Sequence, residues 1–412
     1  MRTIVVGGGI VGLACARNLQ KMGVDVTLID PQPPGSQASA GNAGLIAGSA
    51  VVPEASAALL RRLPRMLLDR DGPLRVSVRH APKMVRYARH VLRAAREAER
   101  ERISKALAPL TLPAYDAWMR LLDDLPEARQ LFRRDGCLYL YLTRDEQRAA
   151  EPANAMRRRR GMQLTEVNAA ELRQLAPALA LHSDDALHSP AGGWVANPQR
   201  LGELLAAALT RDGARILRDR VIGFATADSR VTAARTETGR HDADCVILAA
   251  GAWSARLAAQ LGVDVPLDTE RGYHLHLPLE PGAVNVPLLV PSMGVALTPM
   301  EGGVRVAGLV EFAGLEAPAS EAMFGRLERR AARLFGEGAV RGAGRWMGRR
   351  PSLPDALPII DRSPTYGNAL LAFGNGQMGL TQAAVTAGAI GDLSQGGEPE
   401  LDLAPYRALR FS

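Results

Sequence analysis

Thr3-Ile4-Val5-Val6-Gly7-Gly8-Gly9-Ile10-Val11-Gly12 runs into Leu13, Ala14, Ala16 and Leu19, and reads as a strand feeding directly into a helix. The unbroken run Thr3 to Val6 suits a parallel strand buried on both faces. Gly7, Gly9 and Gly12 satisfy the G-x-G-x-x-G spacing. Gly7 makes the tight turn, Gly9 lets the backbone approach a pyrophosphate, and Gly12 lets helix and strand pack closely. Ile10 and Val11 open the helix, whose N-terminus faces the phosphate charge. Gly23 ends the helix, and Val24 to Ile29 forms a second strand closed by Asp30 and Pro31. A carboxylate at that strand end accepts hydrogen bonds from ribose hydroxyls, and Asp in place of Arg disfavours a 2′-phosphate such as that of NADP. Strand, glycines, helix, strand and acid in order within thirty residues predict an adenine dinucleotide site.

The rest of the chain bounds what that site can serve. At 412 residues, two interlocked domains are expected. Hydrophobic residues at 47% and charged residues at 23% are an ordinary soluble balance. The net charge is +7, but only Lys21, Lys83 and Lys105 are lysines, and aromatics are 4%. Neither a basic cluster with interleaved aromatics nor a known module is present, so nucleic acid is not an expected partner. Cys15, Cys137 and Cys245 are odd in number, widely spaced and set among apolar residues. This disfavours a disulfide framework and a metal site, and fits a reducing compartment. No leader is read before the first strand and no apolar run approaches bilayer length, so a cytoplasmic location, peripheral to the inner membrane at most, is expected. The stretch from Gly396 to Pro405 reads as loose.

Three later features point from a general dinucleotide towards a flavin. Gly35 to Gly44 is rich in small residues (Ser39, Gly41, Asn42, Ala43, Gly44) and can run close along an extended cofactor. Val221 to Ala227, Val231 to Thr236 and Cys245 to Ala249 read as three short strands leading into Ala250-Gly251-Ala252-Trp253, with Trp253 packed behind the turn. Leu370 to Phe373 is an apolar strand entering Gly374-Asn375-Gly376-Gln377-Met378-Gly379-Leu380-Thr381 and a helix. That second glycine turn can aim another helix N-terminus at a cofactor and stabilise an anionic ring.

These segments resemble the D-amino-acid oxidase-like flavoproteins, and most nearly the bacterial D-amino-acid and hydroxyproline dehydrogenases, with glycine and sarcosine oxidases as cousins. The resemblance covers nearly the whole chain. It rests on Gly7 to Gly12, Gly41-Asn42-Ala43-Gly44, Asn197-Pro198, Ala249 to Trp253, Arg271-Gly272-Tyr273-His274, Gly348-Arg349-Arg350-Pro351 with Pro358-Ile359-Ile360, and Gly376 to Thr381. It implies an α/β (α+β overall) fold, with a Rossmann-like FAD-binding domain and an inserted antiparallel-sheet substrate domain. The FAD domain would be assembled from 1–45, 150–265 and 345–412, and the substrate domain from 46–149 and 266–344. The residues agree coarsely: 54–130 has helical periodicity, and 270–310 reads as antiparallel strands with a hairpin at Glu301-Gly302-Gly303. The resemblance further implies FAD held without a covalent bond, because no Cys follows Cys245 and Asn42 stands where a linking His is expected. Asn42 to Leu45 and Gly376 to Thr381 would reach the isoalloxazine, with Ala250, Gly251 and Trp253 nearby. The Val221 backbone would meet the adenine. The chain departs from the pattern at Asn375 and Gln377, where many relatives carry histidine.

Oxidising an amino acid at Cα requires hydride transfer to flavin N5, with the substrate held and its amine neutral. An arginine fork binds a carboxylate through two parallel hydrogen bonds. By resemblance Arg350, just before proline, is that anchor, with Arg349 as competitor. Tyr273 is a second candidate, its hydroxyl sharing the carboxylate, and His274 a third. On strand alternation Tyr273 and Leu275 face one side, with His274 and His276 on the other, unless a bulge intervenes. Met84, Tyr87, Ala88, Val91, Leu92 and Ala95, with arginines between, read as an amphipathic helix covering the substrate domain, or as a membrane-surface contact near quinone; Leu59 to Leu68 could serve likewise. The expected reaction is dehydrogenation of a D-amino acid or cyclic imino acid such as D-hydroxyproline or D-proline, with electrons passed to a quinone or carrier. A glycine- or sarcosine-type oxidase using oxygen, a flavin subunit of a larger electron-transfer complex, and an NAD dehydrogenase are the alternatives, and an oligomer or partner subunits are compatible with each.

Overall fold

The computed structural model describes residues 1–69, 71–181 and 185–411. Strand Arg2–Val6 sits inside a six-stranded sheet, parallel to Asp25–Ile29 on one side and to Cys245–Leu248 on the other. Arg215–Leu217 extends the first side; Ala369–Phe373 and the antiparallel Ile359–Arg362 extend the second. Every residue of the central strand except Arg2 is buried, as an apolar run without alternation requires.

Two helices leave this sheet from parallel strands. Ile10–Lys21 follows Arg2–Val6, and Gly379–Ser394 follows Ala369–Phe373 through a tight turn at Gly376–Met378. Because both strands run the same way, both helices begin at the same edge of the sheet, where α/β folds bind their ligands. The helices pack on each other, and Asn18 Nδ2 donates to the Ala387 carbonyl at 2.9 Å. Thus the two ends of the chain form one layer.

The second large unit is a nine-stranded sheet. Its order is Gly344–Ser352, Asp268–Leu277, Gly303–Phe312, Val295–Met300, Leu288–Val290, Cys137–Tyr141, Asp185–Ser189 and Thr165–Val167, with Leu74–Val76 beside Gly303–Phe312. It is mostly antiparallel, and Val295–Met300 returns as Gly303–Phe312 through a hairpin whose Gly302 has φ +78°. The anticipated FAD stretch 150–265 contains Thr165–Val167 and Asp185–Ser189, which belong to this sheet. The three short strands read after residue 220 are present but divide. Val221–Ala227 and Arg230–Thr236 join Arg240–Asp242 in a small antiparallel sheet, whereas Cys245–Leu248 enters the parallel one.

Between residues 57 and 129 the chain is mostly helical, through Ala57–Leu68, Val85–Ala94, Glu97–Thr111, Ala114–Leu121 and Pro126–Arg129, with the strand Leu74–Val76 between the first two. The stretch read as loose, Gly396 to Pro405, is irregular through Leu403 but leads to a buried anchor. Tyr406 is covered and its hydroxyl donates to the Ala106 carbonyl at 2.5 Å. Among the described residues, no helix is long and apolar enough to cross a membrane.

Candidate active site

A cavity of about 1630 Å³ runs from the glycine turn at Gly7 to the face of the nine-stranded sheet. Ligand pockets for drug-sized molecules span roughly 300–1,000 Å³, so this one has room for a dinucleotide together with a small substrate.

At one end the first turn forms a cradle. Gly7, Gly9, Ile10 and Val11 are on the wall, and Gly12 lies behind it. A side chain on Gly12 would sit 1.9 Å from the Gly7 carbonyl oxygen, so its glycine is needed for packing. A side chain on Gly9 would meet only Ser39 Oγ, at 3.6 Å, and would otherwise enter the cavity. Ser39 Oγ accepts the Ile10 N–H at 2.9 Å, which brings the small-residue segment against the helix N-terminus. Asp30 and Pro31 close this end. Asp30 Oδ2 accepts the Gly8 N–H at 2.6 Å and Oδ1 accepts the Gln32 N–H at 2.7 Å. Each carboxylate oxygen keeps a second lone pair for a hydroxyl. Burial pushes the Asp30 carboxyl up, against the lowering effect of these two bonds. Val221, Ala250 and Gly251 line the same end. Trp253 does too, but it is 37% exposed rather than packed behind its turn.

The middle of the cavity is built where the early segment meets the C-terminal helix. Asn42, Ala43, Leu45 and Gly376 to Thr381 are on the wall, while Gly44 is behind it against the Val195 carbonyl. Thr381 Oγ1 accepts from the Ala47 N–H and donates to the Leu45 carbonyl, both at 3.1 Å, tying the two segments together. Asn42 Oδ1 accepts the Gly44 N–H at 2.9 Å. The helix Gly379–Ser394 has no side-chain cap, so its positive end is open to the cavity. This donor set fits the two halves of FAD: a pyrophosphate at the first helix and an anionic ring at the second. Among the described residues the wall carries no cysteine or histidine.

At the other end the sheet supplies charge. Arg350 stands opposite Glu270 on the neighbouring strand, and its Nη1 donates to Glu270 Oε1 at 2.8 Å. Ser352 Oγ donates to Glu270 Oε2 at 3.0 Å. Gly272 leaves space for the guanidinium: a side chain there would lie 2.2 Å from Arg350 Nη2. Arg349 also reaches the wall, but its Nε is turned to the Leu315 carbonyl at 2.6 Å. Across from them, Glu54 accepts a hydrogen bond from the Gln377 amide. Glu54 is exposed to the open cavity, and the protein packed around that cavity desolvates its carboxyl. Desolvation, with the Glu270 charge adding and Arg350 opposing, pushes it up to about 7.

Two sequence candidates are placed elsewhere. Tyr273 touches the wall, but its hydroxyl lies behind it, donating to Glu311 Oε2 and accepting the Ser320 N–H. Its ring stacks edge-on against Phe324 with centroids 5.1 Å apart. Glu311 in turn holds the buried Arg271 at 3.0 Å, so Tyr273 completes an ion-pair network. His274 does not reach the cavity. Its Nδ1 donates to the Gly41 carbonyl at 3.0 Å and its ring stacks on Trp346. Burial, then the nearby Arg305, pulls it down to about 3, so it stays neutral and serves as a prop. Arg305 Nη1 binds the neighbouring carbonyls of Ala40 and Asn42 at 3.0 and 2.5 Å. Alternation holds along this strand, with Tyr273, Leu275 and Leu277 sharing one core. The bulge between Arg271 and Tyr273 lies in the pairing with Gly303–Phe312. Sequence reasoning missed Glu54 and Glu270. Glu270 was findable as the cross-strand partner of Arg350 once the pairing was known, whereas Glu54 sits in a loop with no periodic signal.

The profile of the family described as FAD dependent oxidoreductase matches residues 2–393. A D-amino-acid oxidase of Bradyrhizobium diazoefficiens is 30% identical over 416 residues, spanning 99% of this chain and 98% of that protein. A D-amino acid dehydrogenase of the same organism is 27% identical over 424 residues, spanning 100% and 99%. Among solved structures, glycine oxidase from Geobacillus kaustophilus superposes with a TM-score of 0.77 at 22% identity, covering 99% of this chain and 98% of that one. The matches run the length of the chain, and with them the cavity has its owner: the protein belongs to the FAD dependent oxidoreductase family, a flavoenzyme that binds FAD and acts on amino acids.

Proposed function

We propose that the protein is a D-amino-acid dehydrogenase, oxidising the Cα–N bond of a D-amino acid or a cyclic imino acid such as D-proline or D-hydroxyproline. The observation that carries this reading is Arg350, held by Glu270 on the sheet face that shares one cavity with the two helix N-termini. Bound FAD, held without a covalent link, supplies the two-electron acceptor for the Cα–H hydride.

The remaining steps belong to the chain. Arg350 has its Nε and Nη2 edge unspent and pairs it with the substrate carboxylate. Glu270 and Ser352 fix the guanidinium, so less freedom is lost on binding. Glu54, with its carboxyl near 7, takes the proton from the substrate ammonium and leaves the neutral amine that oxidation requires. Gln377 orients Glu54 through its side-chain amide. The imine product then hydrolyses outside the site, and the electrons leave to a quinone or a carrier protein.

The oxidase reading is favoured by the name of the 30% identical relative. Anaerobic bleaching of the flavin absorbance with a panel of D- and L-amino acids, proline and hydroxyproline included, tests the substrate class and stereochemistry. Bleaching by D-substrates is expected; bleaching by L-substrates alone would overturn the proposal. Hydrogen peroxide formed in step with turnover in air would select the oxidase.

A further inference from the structure

Residues 57–96 hold eleven basic residues against two acidic ones, a surplus of nine in a chain whose net charge is +7. The rest of the molecule is therefore slightly negative, and the protein's positive charge is concentrated in one segment. All ten described basic residues of this segment are exposed. Arg75 and Arg86 pair with Glu311 and Asp264. Arg61, Arg62 and Arg65 on the helix Ala57–Leu68 have no ion-pair partner among the described residues, nor do Arg79, Lys83, Arg89, Arg93 and Arg96.

The same segment displays apolar side chains. The helix Ala57–Leu68 has no buried residue. Leu68 is 85% and Val78 88% exposed, and Leu67, Val85 and Leu92 are exposed as well. Leu63 and Met66 of the first helix and Met84 and Val91 of the next stretch border the same cavity, so both pieces surround one mouth. Exposed leucines ringed by unpaired arginines are costly in water and favourable where hydrocarbon meets anionic headgroups.

We propose that residues 57–96 form a docking face for an anionic lipid bilayer, with the cavity mouth turned to the membrane. Charge complementarity selects this occupant. A second copy of the chain would set one surplus of positive charge against another. The proposal is independent of the substrate reading; it rests on it only for the use of docking, which is to bring the mouth of the site to lipid-soluble acceptors.

The test is co-sedimentation of the FAD-loaded protein with vesicles of phosphatidylcholine alone and of phosphatidylcholine mixed with phosphatidylglycerol. Binding to the mixed vesicles only, weakened by added salt, is expected. The pairs Arg61→Glu/Arg65→Glu and Arg89→Glu/Arg93→Glu should each weaken it about tenfold or more. Arg158→Glu/Arg159→Glu, on the helix Arg144–Arg159 outside this segment and already paired with Glu151 and Glu101, should leave it unchanged, and Leu67→Ser/Leu68→Ser should weaken it at any salt concentration. Retained flavin absorbance shows that each variant is folded. No sedimentation with anionic vesicles, equal binding to both kinds, or indifference to the arginine pairs would overturn the proposal. So would sedimentation-velocity evidence that the face closes a dimer. Flavin bleaching by substrate in the unbound variants separates failure of this proposal from failure of the dehydrogenase reading.

Discussion

Arg350 and Glu270 face one another across adjacent antiparallel strands, and each limits what the other can do. Hydrogen bonds to charged groups contribute roughly 1.5–3 kcal/mol each. Arg350→Ala is therefore expected to raise the substrate dissociation constant by about tenfold to a hundredfold, with flavin still bound. Anaerobic flavin-reduction titrations measure this. Because the change also strips Glu270 of its partner, Arg350→Ala/Glu270→Gln separates lost anchoring from an uncompensated carboxylate. Unchanged titrations in both variants would remove Arg350 from the site. Glu54 makes a different prediction. Its carboxyl is raised to about 7 by desolvation first and Glu270 second, so the base form exists above that pH and is lost below it. The apparent second-order rate of flavin reduction should rise with pH through about 7 and then level. Glu54→Gln should abolish that step, and a variant that kept it would assign the ionisation elsewhere. His274 cannot supply it, since it stays neutral down to about pH 3.

At the scale of elements, the two glycines of the first turn have separable duties. Gly12→Ala would press a methyl group onto the Gly7 carbonyl oxygen, backbone that cannot swing aside. It should destabilise the fold by about 1–3 kcal/mol, read as a lower melting temperature of the apoprotein. Gly9→Ala points into open space and should leave that melting temperature alone, while weakening FAD about tenfold, or ~1.4 kcal/mol, by occupying the phosphate approach. Equal effects of the two changes on apoprotein stability would refute this division. The strand–turn–helix–strand unit was legible because each piece carries its own local signal within thirty residues. The strand Gly344–Ser352 beside Asp268–Leu277 was not, since about seventy residues separate them and only packing decides the pairing. Tyr273 shows the same limit. Its alternation was readable, but which face met the cavity depended on the strands to either side.

Across the whole molecule, Arg17 joins three separate parts of the chain. Almost fully buried, it leaves the first helix to bind Asp124 and, at 2.6 Å, Asp212. Asp212 is held well below the usual carboxylate range, by Arg211 first and Arg17 second. A depressed folded value means the stabilisation is complete above the unfolded pKa, about 3.9, and is lost as pH falls through the folded one. Asp212→Asn should lower stability most at neutral pH, where this contribution is complete, and flatten the acid side, so that the two proteins converge as pH falls. An identical acid limb in urea unfolding below pH 4 would remove this linkage.

The amino-acid sequence alone determined the dinucleotide cradle, the second glycine turn and the family, because glycine spacing, apolar runs and turn residues act over short stretches of backbone. It also singled out Arg350, which we propose as the carboxylate anchor. Only the tertiary structure decided that Tyr273 is spent on Glu311, that His274 props the Gly41 segment, and that Glu54 and Glu270 join Arg350. Those outcomes depend on desolvation and on cross-strand register between residues tens to hundreds of positions apart. No local pattern carries that information.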